Sequence, residues 1–255
     1  MRIWVLWVLI TMGCGPQKDG PWAFALSHEA QDPVRGLGEL SVRSTPLHIG
    51  IVSSAAYVTD GSSLRVEVRS PLGMTQIVVL IANGQWSIRI PETKLHLVAR
   101  DANQTVLSLT DGVVSLSALQ HLLLGRFDWV PASLMDNIRT VQNTNPVLIP
   151  FSNGAALRLT LDTSQQYLGR CTILSASRDV LLDVSYAQFR NGKPHLLEVS
   201  IPRVQMTVSL SMRTLSSFDP TDQTFQLSGQ HQYQTVAMEE MWPVVLDKLL
   251  QKSDP

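Results

Sequence analysis

Apolar and polar residues alternate strictly over several short stretches of the chain. The segment LRVEVR places Leu64, Val66 and Val68 on one face and charged residues on the other. A longer alternation follows in VQMTVSLSMR, residues 204–213, and Asn-Gly pairs at 83–84 and 191–192 are typical of hairpin turns. Short alternating stretches separated by closely spaced turns predict an antiparallel β meander, as in a sandwich or barrel.

Four other stretches have helical character. Ser115 precedes leucines at 116, 119 and 123, and Gly125 follows, so the spacing predicts a capped amphipathic helix over 116–124. Pro131 suits the first turn of a second helix over 131–139. Further helices are expected at 22–31 and in the tail at 236–252, where Pro243 delays or kinks the helix. The pattern therefore predicts strands, a helical insertion, and strands again.

The segment RSPLGMTQIVVLI, residues 69–81, departs from this pattern in two ways. Leu72 lies between Pro71 and Gly73, at the tip of a predicted turn, where polar residues are usual. The strand that follows is apolar on both faces, so both faces need a cover. Either the leucine-rich helix covers one face and an apolar cavity lies on the other, or the strand is fully buried in a solid sandwich.

Composition and motifs argue against several classes of function. Charged residues make up only 16% of the 255 residues, and a net charge of −1 without a basic run gives no electrostatic footprint for nucleic acid. The sequence has no nucleophile elbow, no phosphate-binding glycine loop and no HExxH motif. The cysteines Cys14 and Cys171 lack metal-site spacing, and the strand-like surroundings of Cys171 predict a buried core residue. We therefore predict a protein that is not an enzyme and holds no metal or cofactor.

The first residues are typical of a bacterial lipoprotein signal. Met-Arg precedes the apolar run IWVLWVLITM, which is too short to span a bilayer and is followed by Gly13-Cys14. We predict a signal peptide over 1–13, lipidation of Cys14 and a flexible tether over 14–21. By resemblance to lipoprotein sorting signals, Gly15 in place of aspartate favours the outer membrane of a Gram-negative bacterium, on its periplasmic side. The alternative is an ordinary signal peptide that is cleaved nearby.

Three segments resemble the LolA/LolB family of lipoprotein-sorting proteins. SSLRVEVR and SPLGMTQIVVLI together are similar to the loop and flanking strands of LolB. LQHLLLGR resembles the family's helix that ends in a Leu-Gly step, and VQMTVSLSMR resembles its final strand. The resemblance covers residues 22–219 and leaves 220–255 as a C-terminal extension. It implies a mainly β fold, an unclosed antiparallel β-barrel covered by short helices, with an apolar cavity between them.

The resemblance also implies a function and a set of residues. The cavity is expected to bind acyl chains of lipids or lipoproteins, and the partners are the outer membrane and a periplasmic LolA-like carrier. The loop of Pro71, Leu72 and Gly73 is expected to contact the membrane. The candidate cavity wall, chosen from alternating apolar positions, consists of Leu64, Val66, Val68, Val78, Leu80, Trp86, Ile88, Val208 and Leu210.

Two alternatives stay open at this point. The chain can instead be a structural or interaction lipoprotein that uses the same sheet as a solid core without a cavity. Leu72, in turn, can fold back and close the end of that core rather than project towards a membrane. The exposure of Leu72 and the faces occupied by the candidate wall residues distinguish these possibilities.

Overall fold

The computed structural model of the protein describes residues 33–46, 49–99, 103, 106–107, 110, 112–123, 145–164, 167–191, 193–221, 223–227 and 232–238. Within these residues, thirteen strands form one sheet. The first meander contains β1 Val34–Ser44, β2 Ile49–Thr59, β3 Leu64–Arg69, β4 Thr75–Ala82, β5 Gln85–Ile90 and β6 Leu95–Ala99. The remaining elements are helix α1 Leu116–Leu123, β7 Val147–Pro150, β8 Ala156–Leu161, β9 Leu168–Leu174, β10 Val180–Ala187, β11 Leu196–Ile201, the 3-10 turn Pro202–Val204, β12 Met206–Ser217 and β13 Gln234–Ala237.

The sheet consists of two meanders joined at the first and last of their strands. Its order is β13-β6-β5-β4-β3-β2-β1-β12-β11-β10-β9-β8-β7, so β1 pairs with β12 across the middle. All pairs are antiparallel except β13, which runs parallel to β6. The outermost strands β7 and β13 are not neighbours in this order, so the sheet is unclosed. The predicted mainly β fold with an unclosed antiparallel sheet is confirmed.

Helix α1 packs on one face of this sheet, which we call the inner face. The Ser115 hydroxyl caps the helix by accepting a hydrogen bond from the Ala118 N–H at 3.1 Å. Two hydrogen bonds attach α1 to the sheet: the Tyr186 hydroxyl donates to the Leu122 carbonyl, and the Gln120 side-chain amide donates to the Ser62 carbonyl. The helix predicted over 116–124 is therefore present from Leu116 to Leu123, and residues 124 and 125 lie outside the described residues.

The densest part of the core lies between α1 and strands β8 to β10. Leu157 on β8, Cys171 on β9 and Val184 on β10 have no solvent exposure, and Leu122 of α1 is equally buried. Cys171 is thus a core residue, as the sequence predicts. Burying a leucine or valine side chain completely stabilises the fold by about 1.5 to 3 kcal/mol relative to leaving it exposed.

Strand β4 is apolar on both faces because both faces are covered. Val79 pairs with Ile88 on the inner face, whereas Val78 and Leu80 point to the opposite, outer face. Part of the outer face is covered by residues 223–227, which together with residues 232–238 we call the C-terminal segment. The Arg65 guanidinium, on the outer face of β3, donates to the main-chain carbonyls of Thr224 at 3.0 Å and Gln226 at 3.2 Å. The cover that local pattern did not indicate is this stretch distant in sequence, which borders the outer face of the strand.

Several predicted segments fall on residues that the structure does not describe. These are the signal peptide and tether, the helices at 22–31 and 131–139, and the tail beyond residue 238. Part of the C-terminal extension is described, and its residues Gln234–Ala237 form β13 beside β6. Among the described residues, no helix combines the length and apolar character needed to cross a membrane.

Candidate functional site

Apolar rows run across the inner face of the central strands. Residues paired directly across antiparallel strands share a face. Val42 on β1 pairs with Ile51 on β2 and with Val208 on β12, and Val208 pairs in turn with Val199 on β11. Leu40 belongs to the adjacent inner-face row. We call these five residues the apolar floor.

The apolar floor is more open than the part of the inner face beneath α1. Ile51 is 48% exposed, and Leu40, Val42, Val199 and Val208 are half-buried. The residues beneath α1 on β8 to β10, by contrast, are fully buried. The inner face therefore has a closed part that serves as core and an open part whose apolar surface is accessible to a ligand.

Seven of the nine predicted wall residues lie on the inner face. Two of the nine, Val78 and Leu80, are corrected by the register: Val78 pairs with Glu67 and Arg89, and Leu80 lies opposite Ser87, all of which are outer-face positions. The physical reason is that β4 is apolar on both sides, so alternation alone does not indicate its inner face. The inner-face members are Leu64, Val66, Val68, Trp86, Ile88, Val208 and Leu210.

The β3–β4 turn holds Leu72 away from the sheet. The Gly73 N–H donates to the Ser70 carbonyl and the Ser70 N–H donates to the Met74 carbonyl, both at 2.8 Å, which closes a three-residue hairpin loop. Gly73 supplies the left-handed residue of this loop, with φ of 81°, and Pro71 restricts the backbone before Leu72. Leu72 is 85% exposed, so in this structure it does not close the core.

The apolar floor and the β3–β4 turn that carries Leu72 lie at the same end of the strands. Ser44 pairs with Ile49 where β1 turns into β2, whereas Arg69, the last residue of β3, pairs with Ser54. The first five residues of β2 therefore extend past the end of β3, alongside the β3–β4 turn. This region holds three of the exposed large apolar residues besides Leu72, namely Ile51, Val52 and Met74.

The space beneath the end of α1 is small. A cleft bordered by Tyr57, Leu123, Leu197 and Met212 has a volume of about 20 Å³, enough for about one water molecule. An acyl chain does not fit into it without movement of α1. Among the described residues of the inner face, the apolar floor is therefore more accessible to an acyl chain than this cleft is.

Two buried titratable groups of the inner face are neutral. Burial raises the pKa values of the Tyr186 phenol and the Cys171 thiol well above their usual values, so both groups stay protonated and neutral. The five residues of the apolar floor carry no charge or hydrogen-bonding side chain. In the described residues, no cluster of three or more histidine, cysteine or acidic side chains is placed to hold a metal ion.

Four residues of the apolar floor are not among the sequence-predicted candidates: Leu40, Val42, Ile51 and Val199. Their signal is present in the sequence, because GELSVRS and GIVSS both alternate in part. The pairing of β1 with β12 joins residues more than 160 positions apart, such as Val42 and Val208, and no local pattern predicts that neighbour. Cys14, the predicted lipidation site, lies outside the described residues.

Comparison with known proteins gives matches at the level of structure alone, since the sequence matches no protein-family model and no curated protein. A LolA superfamily protein from Nitrosomonas europaea shares 11% identity at a TM-score of 0.47, over 80% of this chain and 97% of that one. A DUF1329 family protein from Desulfovibrio piger shares 10% identity at a TM-score of 0.48, over 82% and 97% of the two chains.

A third similar structure is an outer membrane lipoprotein-sorting protein domain from Vibrio parahaemolyticus. It shares 10% identity at a TM-score of 0.45, over 83% of this chain and 97% of that one. The similar structures thus include a LolA superfamily protein and a lipoprotein-sorting domain, the kinds of protein that three segments of the sequence resemble. Because identities are near 10% and these TM-scores are below 0.5, the function is inferred below from the residues of this chain.

Proposed function

We propose that this protein is a bacterial envelope lipoprotein that binds acyl chains of lipids or lipoproteins on its inner face. The observation that carries the proposal is the apolar floor, a continuous set of uncharged side chains of which Ile51 is 48% exposed. Monomeric proteins rarely leave a contiguous apolar surface open unless it binds something. The proposed role is binding rather than catalysis.

The chemistry of an acyl chain fits this surface. Each buried methylene contributes about 0.8 kcal/mol, so a long chain binds without any hydrogen bond or charge. A polar ligand gains nothing from Val42, Ile51 or Val208. The half-buried Met206, at the end of the same face, adds a flexible thioether that adapts to an irregular ligand.

The Leu72 turn supplies the second part of the proposal, which is contact with a membrane. Leu72 is 85% exposed at the tip of a closed turn, so the transfer of its side chain from water to lipid is favourable. The exposed Met74 lies two residues further along the same loop. An acyl chain on the apolar floor would then lie near the strand ends that meet the bilayer.

Anchoring and partners complete the proposed role. Cys14 is proposed to carry the lipid, with residues 14–21 as a tether and Gly15 favouring the outer membrane on its periplasmic side. The resemblance of the sequence segments to lipoprotein-sorting proteins supports a role in lipoprotein localisation. A periplasmic LolA-like carrier is the proposed source of the lipoprotein cargo.

The apolar floor is tested by displacement of a hydrophobic fluorophore with a fatty acid. We expect Ile51→Asp to weaken fatty-acid binding about tenfold, because a charge next to the chain opposes its burial by about 1.4 kcal/mol. The matched control is Val52→Asp, since Val52 is 60% exposed on the opposite face of the same strand. Equal affinities of the two variants would contradict a ligand on the inner face.

A second candidate function, a structural or interaction lipoprotein, is favoured by one observation. The cleft beneath α1 measures only about 20 Å³, and the core on β8 to β10 is solid. Under this alternative the folded wild-type protein binds the fluorophore without displacement by fatty acid, or does not bind it. The same titration therefore distinguishes the two functions before any variant is made.

Lipidation of Cys14 is a separate prediction. One acyl chain gives marginal membrane binding, and two or more chains give stable anchoring. Cys14→Ser should therefore move the protein from the outer-membrane fraction to soluble or unprocessed material, whereas Cys171→Ser should keep the native distribution. Membrane fractionation with a test for signal processing checks this. A processed Cys14→Ser protein that still fractionates with the outer membrane would overturn the assignment.

A further inference from the structure

A groove of about 290 Å³ lies on the outer face, between strands β4 to β6 and the C-terminal segment. We call it the outer groove. Its volume is near the lower end of the range for small-molecule sites. It is separate from the apolar floor, because it lies on the opposite face of the sheet. The residues that carry its chemistry are Leu80, Ser87, His96, Val98, Phe225 and Leu227.

His96 is the distinctive group of the outer groove. The residue is only 7% exposed, and its Nε2 atom is buried without a hydrogen-bond partner in the part of the chain that the structure describes. A buried polar atom without a partner destabilises a fold. A ligand in the groove is one way to supply the missing partner.

The surroundings of His96 give it the character of a neutral donor. Burial lowers the pKa of His96, and the nearby positive charge of Arg89 lowers it further. A neutral imidazole carries one N–H, and we assign it to Nε2, where it would donate to an acceptor in the groove. The matching ligand atom is therefore an oxygen acceptor.

The charges on this face favour an anionic acceptor. Glu67 is already paired with Arg65 at 2.7 Å and with Arg69 at 3.0 Å. Arg89 on β5 lies opposite His96 on β6 in the strand register, and the guanidinium of Arg89 lies 4.2 Å from the centroid of the Tyr233 ring. The described residues of the C-terminal segment, QTFQL and QYQTVAM, include no acidic side chain. Among the described residues of this part of the outer face, Arg65, Arg69 and Arg89 stand against the single carboxylate of Glu67.

The apolar residues that line the groove favour a ligand with a non-polar body. Leu80 and Val98 line the groove on the side of the sheet, and Phe225 and Leu227 of the C-terminal segment line it on the other side. These side chains gain from contact with a short hydrocarbon or ring and not from contact with a fully polar molecule. The ligand class is thus an apolar body with one acidic head.

We propose that the outer groove binds a small amphipathic anion whose carboxylate accepts a hydrogen bond from His96 Nε2 and whose apolar body packs on Leu80, Val98 and Phe225. This site is independent of acyl-chain binding on the inner face. Occupation of the groove would also hold residues 223–227 against the outer face.

The test uses the full chain with octanoate as probe and octan-1-ol as its neutral counterpart. NMR spectra of the labelled histidine rings report on His96, whose signals among the six histidines are assigned from their loss in His96→Gln. Methyl signals of Leu80 and Val98 report on the groove, and those of Ile51 report on the apolar floor. We expect octanoate to shift the His96, Leu80 and Val98 signals saturably, with octan-1-ol at least tenfold weaker.

Two variants of His96 distinguish the effect of its hydrogen-bond donor from the effect of the shape of its side chain. Glutamine places an amide donor near the position of Nε2, so His96→Gln should bind octanoate within about threefold of wild type, measured by the Leu80 and Val98 methyl shifts. His96→Leu lacks the donor and should bind at least tenfold more weakly. If His96→Leu does not fold, the comparison of octanoate with octan-1-ol in the wild-type chain decides.

Three results would overturn the proposal. The first is equal binding of octanoate and octan-1-ol, and the second is a shift confined to Ile51, which places the probe on the apolar floor alone. The third is unchanged octanoate binding by folded His96→Leu. None of these results would contradict acyl-chain binding on the inner face, so the two proposals are tested separately.

Discussion

Leu72→Glu should leave the thermal unfolding of the protein almost unchanged while reducing its association with liposomes about tenfold. A leucine that is 85% exposed contributes little to the folded state, and surface substitutions usually change the free energy of unfolding by less than about 0.5 kcal/mol. A carboxylate at the tip of a membrane-contacting turn instead has to stay in water. The protein with Cys14 replaced by Ser is the form to measure, because a lipid anchor would mask the contribution of the turn.

The matched control for this experiment is Leu148→Glu. Leu148 is also an exposed leucine, at 48%, but it lies on the edge strand β7 at the other side of the sheet. The same chemical change at that position should leave liposome association at the wild-type level. A Leu72→Glu protein that is stable and still associates like wild type would remove Leu72 from the proposed membrane contact. A marked drop in its melting temperature would assign Leu72 to the core.

Gly38→Ala should destabilise the fold by about 3 kcal/mol or more. Gly38 lies at the bulge in the pairing of β1 with β12, the junction between the two meanders. A Cβ atom at this position would lie 2.0 Å from the Ser211 carbonyl oxygen and 2.8 Å from the Met212 Cα. Both are main-chain atoms, so relief of the clash requires the strands to move apart, and overpacking of this kind typically costs 1 to 3 kcal/mol, occasionally more.

Gly50→Ala is the control for Gly38→Ala. Gly50 lies on the neighbouring strand β2, and a Cβ atom there has no neighbour within 4 Å. Its effect on the free energy of unfolding should stay within about 0.5 kcal/mol. Denaturant unfolding of both variants, analysed with equal slopes, measures the difference. Similar stabilities of the two proteins would show that the β1–β12 junction tolerates a side chain at the bulge, against the geometry described here.

Much of the fold is predictable from local pattern. Alternation in LRVEVR and VQMTVSLSMR predicts strands β3 and β12, and Ser115 with its following leucines predicts helix α1. These predictions succeed because side-chain direction in a strand or helix repeats with a fixed short period. The turn at Leu72 is predictable for the same reason, since Pro71 and Gly73 specify backbone angles within a few residues.

The candidate site is predictable only in part. Seven of the nine wall residues lie on the inner face, but Val78 and Leu80 belong to the outer face, and Ile51, Val42 and Val199 are absent from the prediction. A strand that is apolar on both sides does not reveal which side faces the core. The exposure of an apolar residue depends, moreover, on which distant segments pack over it.

The sequence by itself determined strands such as β3 and β12, helix α1 and the turn of Pro71, Leu72 and Gly73, because each depends on neighbours within a few residues. The exposure of Leu72 was decided by the structure. Only the tertiary structure decided that β1 pairs with β12, that the apolar floor extends across that junction, and that the C-terminal segment covers part of the outer face and forms the outer groove around His96. Those features depend on contacts between residues more than a hundred positions apart, whose pairing follows from the burial of the whole sheet rather than from any local pattern.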